Sequence, residues 1–290
     1  MNTHTYLIVQ DINKILQNND NFNINTYNAV KDDIIEQLNK TYKITNYHTI
    51  WHTIEQYLYR ITNLSLEEKN KRIVTLLNTL PQTVQRTQEW YDIRKFMITA
   101  SDMAAVVGKC KYNKPIKVIR KKCGIDDKFT GNKFTEWGIK YEEIATKIYQ
   151  IDYNTKVIEF GLIQHPLISY IGASPDGITE DGIMIEIKCP YTRKLDRNEG
   201  IDGVPLGYWI QVQTQLEVCN LTLCDFQQCE LYEYSCKLEY DDDNYDGYKG
   251  CVVNERVGYK LKYHYPEVLN QSEDKLNEWL AQYSDDTKYY

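Results

Sequence analysis

The sequence predicts an α/β domain, a mixed β-sheet flanked by helices, preceded by a helical N-terminal extension. Three observations carry that expectation. Before Pro81 the apolar residues recur only at helical spacing, within a polar background. After it, short alternating or apolar runs suited to strands interleave with helical stripes. Gly, Pro and Asp gather where one texture gives way to the other. The expected division is residues 1–81 for the extension and 82–290 for the α/β domain, which ends in a C-terminal helix.

Within the extension, "AVKDDIIEQLNKTY" aligns Val30, Ile34, Ile35 and Leu38 on one helix face. "NLSLEEKNKRIVTLLNTL" opens on a capping box, Ser65 with Glu68, and continues through Ile73, Leu76, Leu77 and Leu80 until Pro81 breaks it. "TQEWYDIRKFMITASDMAAVVG" reads as a helix, a short turn and a second helix capped by Ser101 and ended by Gly108. The basic run "GKCKYNKPIKVIRKKCG", 108–124, is either a solvated helix face or a phosphate track. In "TEWGIKYEEIATKIYQ", Trp137, Tyr141, Ile144, Ala145 and Ile148 form an apolar stripe. "KVIEFGLIQHP", "YIGASPDG" and "IMIEIKCP" read as strands, "GYWIQVQTQLEVC" as a helix, and "LCDFQQCELYEYS" as a return to strand. "DDDNYDG" is an acidic solvated loop, and a long helix, "SEDKLNEWLAQY", is expected to close the chain.

Composition narrows the class. With 42% hydrophobic residues the 290-residue chain can bury a sizeable core, and its mean hydropathy is −0.57. No apolar run approaches the ~18 residues a membrane helix needs. "MNTHTYLIVQ" lacks the basic and apolar blocks of a signal peptide, so an intracellular protein is expected. A net charge of −7 argues against a general nucleic-acid coat, yet a nucleic-acid enzyme needs only a local basic track. Eight cysteines without a secretory signal suggest free thiols. Cys219, Cys224, Cys229 and Cys236 lack the paired spacing of zinc knuckles, and no iron–sulfur cluster is expected.

The chemistry concentrates in "GASPDGITEDGIMIEIKCP", 172–190. Along "IMIEIKCP" side chains alternate, so Ile183, Ile185 and Ile187 share one face and Met184, Glu186 and Lys188 the other. Burying the isoleucines makes the two charges costly unless they are paired or used. A two-residue turn at Asp181–Gly182 would set Gly177 opposite Glu186 and send Asp176 to the wrong face. A three-residue loop, Glu180-Asp181-Gly182, pairs Thr179 with Ile183, Asp176 with Glu186 and Ser174 with Lys188. Such loops commonly finish in the left-handed conformation, which Gly182 adopts without penalty. This loop, or an equivalent bulge, is the expectation. Adjacent carboxylates repel, and a divalent cation between them removes that cost; hard oxygen ligands suit Mg²⁺ or Mn²⁺. A lysine two residues on can orient an attacking water or stabilise charge on a phosphate. The competing reading is a turn at "SPDG" with Glu186 and Lys188 forming a surface ion pair.

At these residues the sequence resembles the PD-(D/E)xK nuclease superfamily. Within it the likeness is to the phage lambda exonuclease and YqaJ viral recombinase family, which has Cas4-like relatives in giant DNA viruses. Pro175-Asp176 stands for the "PD" and Glu186-Ile187-Lys188 for the "ExK". "SPDG" followed by "EIKCP", then "QVQTQL", resembles that branch, as do "EWYDIRKFMITASDMAAVVG" and "WGIKYEEIA" upstream. The resemblance covers roughly residues 86–235 and implies a restriction-endonuclease-like core. It implies that Asp176, Glu186, the carbonyl of Ile187 and Glu142 hold the metal, and that Lys188 orients the attacking water. It further implies that Arg94, Ser101 and Ser174 contact phosphates near a DNA end. Arg193 or Lys194 would supply a basic group, and Tyr208, Gln211 and Gln213 would lie along the glutamine helix beside the DNA. On that helix Tyr208, Gln211 and Gln215 share a face opposite Trp209, Val212 and Leu216.

The implied activity is Mg²⁺-dependent exonuclease action on duplex DNA with free ends, 5′ to 3′, in viral recombination, repair or genome defence. A recombination partner protein and homo-oligomers are implied too, since the family's best-known members are ring-shaped trimers; the extension could block that ring. No membrane partner is expected. The alternatives are a catalytically inactive or Cas4-like nucleic-acid-binding module, and a partner-recruiting protein.

Overall fold

A computed structural model describes residues 66–80, 82–126, 131–192, 194–195, 203–258, 260–270, 272–283 and 286–290, together with Glu36 and Lys40. The helix read through Val30 and Leu38 lies outside these residues except for Glu36 and Lys40, which are helical and form an exposed ion pair at 2.5 Å. Ser65 and Pro81, read as cap and breaker, also lie outside them.

In chain order the elements are α1 (Leu66–Thr79), α2 (Gln88–Lys95), β1 (Ile98–Thr99), α3 (Ala100–Val106), α4 (Pro115–Lys122) and α5 (Lys133–Asp152). There follow β2 (Val157–Ile158), β3 (Ile163–Gln164), β4 (Ile171–Ala173), β5 (Gly177–Thr179) and β6 (Met184–Lys188). The chain continues through α6 (Leu206–Cys219), β7 (Cys224–Gln228), α7 (Lys237–Asp242), β8 (Cys251–Val257), β9 (Lys260–His264), α8 (Glu273–Leu280) and β10 (Asp286–Tyr289). This is the mixed α/β class the sequence predicts. The described residues divide into two compact units: residues up to 126 with 159–184 and 206–224, and residues 127–158 with 185–205 and 225–290.

The first unit is built on a three-stranded sheet in which β4 is central, parallel to β1 and antiparallel to β3. The stretch after Lys95, expected as a plain turn, supplies β1: Ile98 and Thr99 pair with Ile171 and Gly172. Two helices cover this sheet. In α3 the small buried residues Ala100, Ala104 and Ala105 allow α6 to pack closely. The buried stripe of α6 is Val212, Gln215, Val218 and Cys219. Burial of each such aliphatic side chain stabilises by about 1.5–3 kcal/mol. The strand read over "KVIEFGLIQHP" is interrupted at Gly161, where a Cβ would lie 2.3 Å from the Thr83 carbonyl oxygen. Here Leu162 N donates to Thr83 O at 3.1 Å, while Gly161 N donates to Gln82 Oε1 at 2.7 Å. α1 joins this unit through buried Ile73, Val74 and Leu77, and through buried Asn70, whose amide donates to Thr222 Oγ1 at 3.2 Å.

In the second unit Tyr141, Ile144, Ala145 and Tyr149 of α5 form one core with Ile185, Ile187, Cys189, Val252, Leu269 and Tyr290. The helix begins where Asn132 caps it: its side chain accepts from Phe134 N and Thr135 N, and Thr135 closes the capping box. A three-stranded antiparallel sheet in the order β10-β8-β9 completes the unit. The expected closing helix is corrected. α8 spans only two turns, and the chain ends in β10, whose Tyr289 pairs with Cys251. The strand expected over "LCDFQQCELYEYS" stops at Gln228. No helix among the described residues is long and apolar enough to cross a membrane.

Candidate active site

Gly182 sets the loop of the hairpin between β5 and β6. Thr179 N donates to Ile183 O at 2.8 Å, Gly182 N to Thr179 O at 2.9 Å, and Ile183 N to Thr179 Oγ1 at 3.0 Å. The loop is therefore the three-residue one, Glu180-Asp181-Gly182, with Gly182 at φ +80°. A Cβ on Gly182 would lie 2.5 Å from Asn70 Cβ and 2.8 Å from its carbonyl carbon, so only glycine fits against α1. Asp176, three residues before Thr179, is half-buried. The carbonyl of its neighbour Pro175 accepts from Gln85 Nε2 at 3.0 Å, and the same amide donates to Phe160 O at 2.9 Å.

The first unit draws Arg94, Ser101 and Ser174 into one network. Trp90 Nε1 donates to Ser174 Oγ at 3.1 Å, and the Arg94 guanidinium rests on the Trp90 ring, 4.0 Å from its centroid. Arg94 Nη2 donates to Thr99 Oγ1 and Ser101 Oγ, both at 3.2 Å. Ser101 does not cap α3, as the sequence suggested. Thr99 is the N-cap residue, with Ser101 inside the first turn. Three members of this network escaped the sequence reading. Asp102 accepts from Thr99 Oγ1 at 2.8 Å and pairs with Lys122 at 2.7 Å, while Lys122 also donates to Arg94 O at 2.9 Å. Their signal was the mixed charge of α3 and α4, which spacing alone could not join across 20 residues.

Burial works against the Asp102 carboxyl, yet the hydrogen bond and charge of Lys122, with Lys121 and Thr99, hold its pKa below the usual range. Burial, with the charges of Lys121 and Arg94, pulls Lys122 downward against the hydrogen bond and charge of Asp102. A carboxylate depressed in the folded state contributes stability that is present above its unfolded pKa, about 3.9, and is lost as pH falls through the lower folded value. Asp102→Asn is therefore expected to cost about 2 kcal/mol at pH 7. In chemical denaturation the loss should shrink as pH falls below the ordinary carboxylate range and through the lower folded value.

On α6, Tyr208 and Gln211 are half-buried and Gln213 is exposed. Gln215 departs from the polar face expected for it: at 1% exposure it lies on the buried stripe with Val212. The exposed α4 carries Lys117, Arg120 and Lys121 toward solvent, with Val118 buried beneath.

In the second unit Glu186 has no exposed surface, and Lys188 Nζ donates to its Oε1. Both faces of β6 are buried rather than one, since Met184 and Glu186 are as inaccessible as Ile185. Cys189 follows, its thiol reaching Tyr141 O at 3.6 Å and fixing the strand end on α5. Glu142 stands next to Tyr141 on that helix, half-buried. Lys194 is exposed, and Arg193 lies outside the described residues. All eight cysteines are free thiols; burial pushes that of Cys219 up to about 12.

Residues 89–222 match the YqaJ-like viral recombinase domain. It is 32% identical over 248 residues to the uncharacterized protein R354 of Acanthamoeba polyphaga mimivirus, covering 73% of this chain and 45% of that protein. Protein D345L of African swine fever virus (strain Badajoz 1971 Vero-adapted) is 25% identical over 172 residues, 49% of this chain and 48% of the relative. The chain thus spans about half the length of these curated relatives. Among solved structures it is similar to the alkaline exonuclease LHK-Exo from Laribacter hongkongensis. The identity is 33% and the TM-score 0.42, over 50% of this chain and 74% of that one. LHK-Exo has also been solved in complex with dAMP.

Proposed function

We propose that this chain is a metal-dependent DNA nuclease that degrades duplex DNA from its ends, 5′ to 3′, in an intracellular, viral setting of recombination or repair. The observation that carries the reading is Glu186: a carboxylate with no solvent exposure, bonded to Lys188, on a hairpin whose loop pairs Thr179 with Ile183. Were that register continued, Asp176 would come opposite Glu186 three residues out on each strand, and Ser174 opposite Lys188 five residues out. A buried carboxylate retained in a hairpin needs compensating positive charge.

The donor set fits a hard cation. Its side-chain ligands would be the carboxylates of Asp176 and Glu186, with the carbonyl of Ile187 and, directly or through water, Glu142. Among the described residues no three His, Cys, Asp or Glu side chains converge as a protein-only cage. Mg²⁺ suits such a sparse set, because it is usually held by one or two carboxylates plus waters and substrate phosphate. When bound, the cation would neutralise charge on the scissile phosphate and acidify the attacking water.

The chain's own side chains do the remaining work. Lys188 orients the water and meets the negative charge that develops on the phosphate. Arg94, Ser101 and Ser174 hold a terminal phosphate through a guanidinium and two hydroxyls. Tyr208, Gln211 and Gln213 line the path of the strand, and Arg193 or Lys194 adds positive charge after β6.

The test is linear duplex DNA labelled at the 5′ ends or internally, incubated with Mg²⁺, Mn²⁺ or EDTA. Cleavage is expected with either ion, none with EDTA, and none for Asp176→Ala; early loss of the 5′ label gives the direction. A wild type that cuts no linear, nicked or single-stranded DNA would overturn the reading in favour of a nucleic-acid-binding module.

A further inference from the structure

Beyond the hairpin, the second unit displays aromatic surface that its core does not use. Phe134 is 52% exposed and Tyr191 43% exposed, with ring centroids 5.8 Å apart in a T-shaped contact. Tyr191 is backed by Trp137, 5.0 Å away, which in turn contacts the fully buried Tyr141 at 4.6 Å. The pair is thus mounted on the core rather than on a loose loop. Lys133 Nζ lies 5.3 Å from the Phe134 ring and 5.1 Å from that of Tyr191, and no acidic side chain among the described residues pairs with it. Lys133 also sits in the first turn of the 20-residue α5, where the helix dipole favours an anion.

We propose that Phe134 and Tyr191, with Lys133 beside them, form a stacking platform for an unpaired base of a DNA strand whose neighbouring phosphate meets Lys133. Each part of the ligand has its counterpart. A base offers a π-face to an aromatic ring only when it is not covered on both sides by its duplex neighbours, so the platform selects single-stranded character. The cation accounts for the phosphate, which an apolar protein partner would leave uncompensated. Tyr191 is three residues beyond Lys188, a reach of at most about 11 Å. Resting on the nuclease reading for its placement, the inference adds a binding contact to it: a base beyond the cleavage point is held by side chains of α5 and of the segment after β6.

The test separates the two claims by measuring binding in EDTA, where no cleavage occurs. The full-length protein is titrated with a single-stranded oligonucleotide of about 12 nucleotides carrying one 2-aminopurine, and with a blunt duplex. Stacking should quench the 2-aminopurine. Tyr191→Ala and Phe134→Ala should each weaken single-strand binding about tenfold or more, with little change for the duplex. Tyr191→Phe should retain binding, and Tyr191→Leu, which keeps the bulk without the π-face, should not. Lys133→Gln should reduce the slope of log affinity against log salt by about one. The platform is overturned if Tyr191→Ala and Phe134→Ala bind single strands as the wild type does. It is equally overturned if they lose single-strand and duplex binding alike, together with a lowered melting temperature. Quenching that persists in a protein without nuclease activity would support the platform while removing the nuclease reading.

Discussion

The double change Glu186→Gln with Lys188→Met is expected to abolish cleavage while leaving the melting temperature at or above that of the wild type. Losing one group that acts on the developing charge costs about 10²–10³-fold in rate, and both are removed here. Stability should move the other way. A buried ion pair pays a desolvation penalty that its attraction barely repays, so a neutral replacement of similar volume is neutral or stabilising. The single change Lys188→Met breaks this symmetry. It takes the ammonium from a carboxylate with no solvent exposure and should cost about 3–5 kcal/mol. Initial rates on linear duplex DNA and thermal melts of the three proteins separate the effects. A double variant that still cleaves would show that the pair is structural and that the reaction lies elsewhere.

Gly182→Val is expected to lower stability by about 3 kcal/mol and to reduce cleavage, although residue 182 contacts no substrate in the proposed reaction. At φ +80° a β-branched residue is strained, and its Cβ would overlap Asn70, backbone included. The hairpin can relieve this only by moving from α1 or by changing its loop. A loop shortened by one residue would turn every following side chain of β6 to the opposite face, Glu186 among them. Gly182→Ala should fall between, with the same Asn70 overlap and less strain. Denaturation midpoints and cleavage rates should decline together across the series; a valine variant of wild-type stability would show that the loop is not under this constraint.

The hairpin was legible because its information is local: Asp176, Gly182, Glu186 and Lys188 within thirteen residues limit the loop to two lengths. The α5 stripe was legible too, since Tyr141, Ile144 and Ala145 repeat at helical spacing along an uninterrupted run. What escaped depended on distant partners. Ile98 and Thr99 form a strand only because Ile171 and Gly172 lie beside them, and that strand moves the helix cap from Ser101 to Thr99. Asp102 and Lys122 gain their meaning from each other. Gln215 reads as surface by its chemistry, yet its position on α6 is buried. β8 and β9 carried a usable signal in the apolar, β-branched start of "CVVNERV" and the turn at Gly258, φ +64°. The tyrosines and lysines of β9 obscured it.

The stacking of Arg94 on Trp90 has a further consequence for how a DNA end would be met. Free arginine side chains lose about 2 kcal/mol of rotamer entropy when they are immobilised. Here the indole, Thr99 and Ser101 already hold the guanidinium, so that loss is incurred when the protein folds rather than when it encounters DNA. In the proposed reaction such a preset receptor would discriminate by geometry: an end whose phosphate matches the donors would be captured at first contact, and one that does not match would leave without having reshaped the protein.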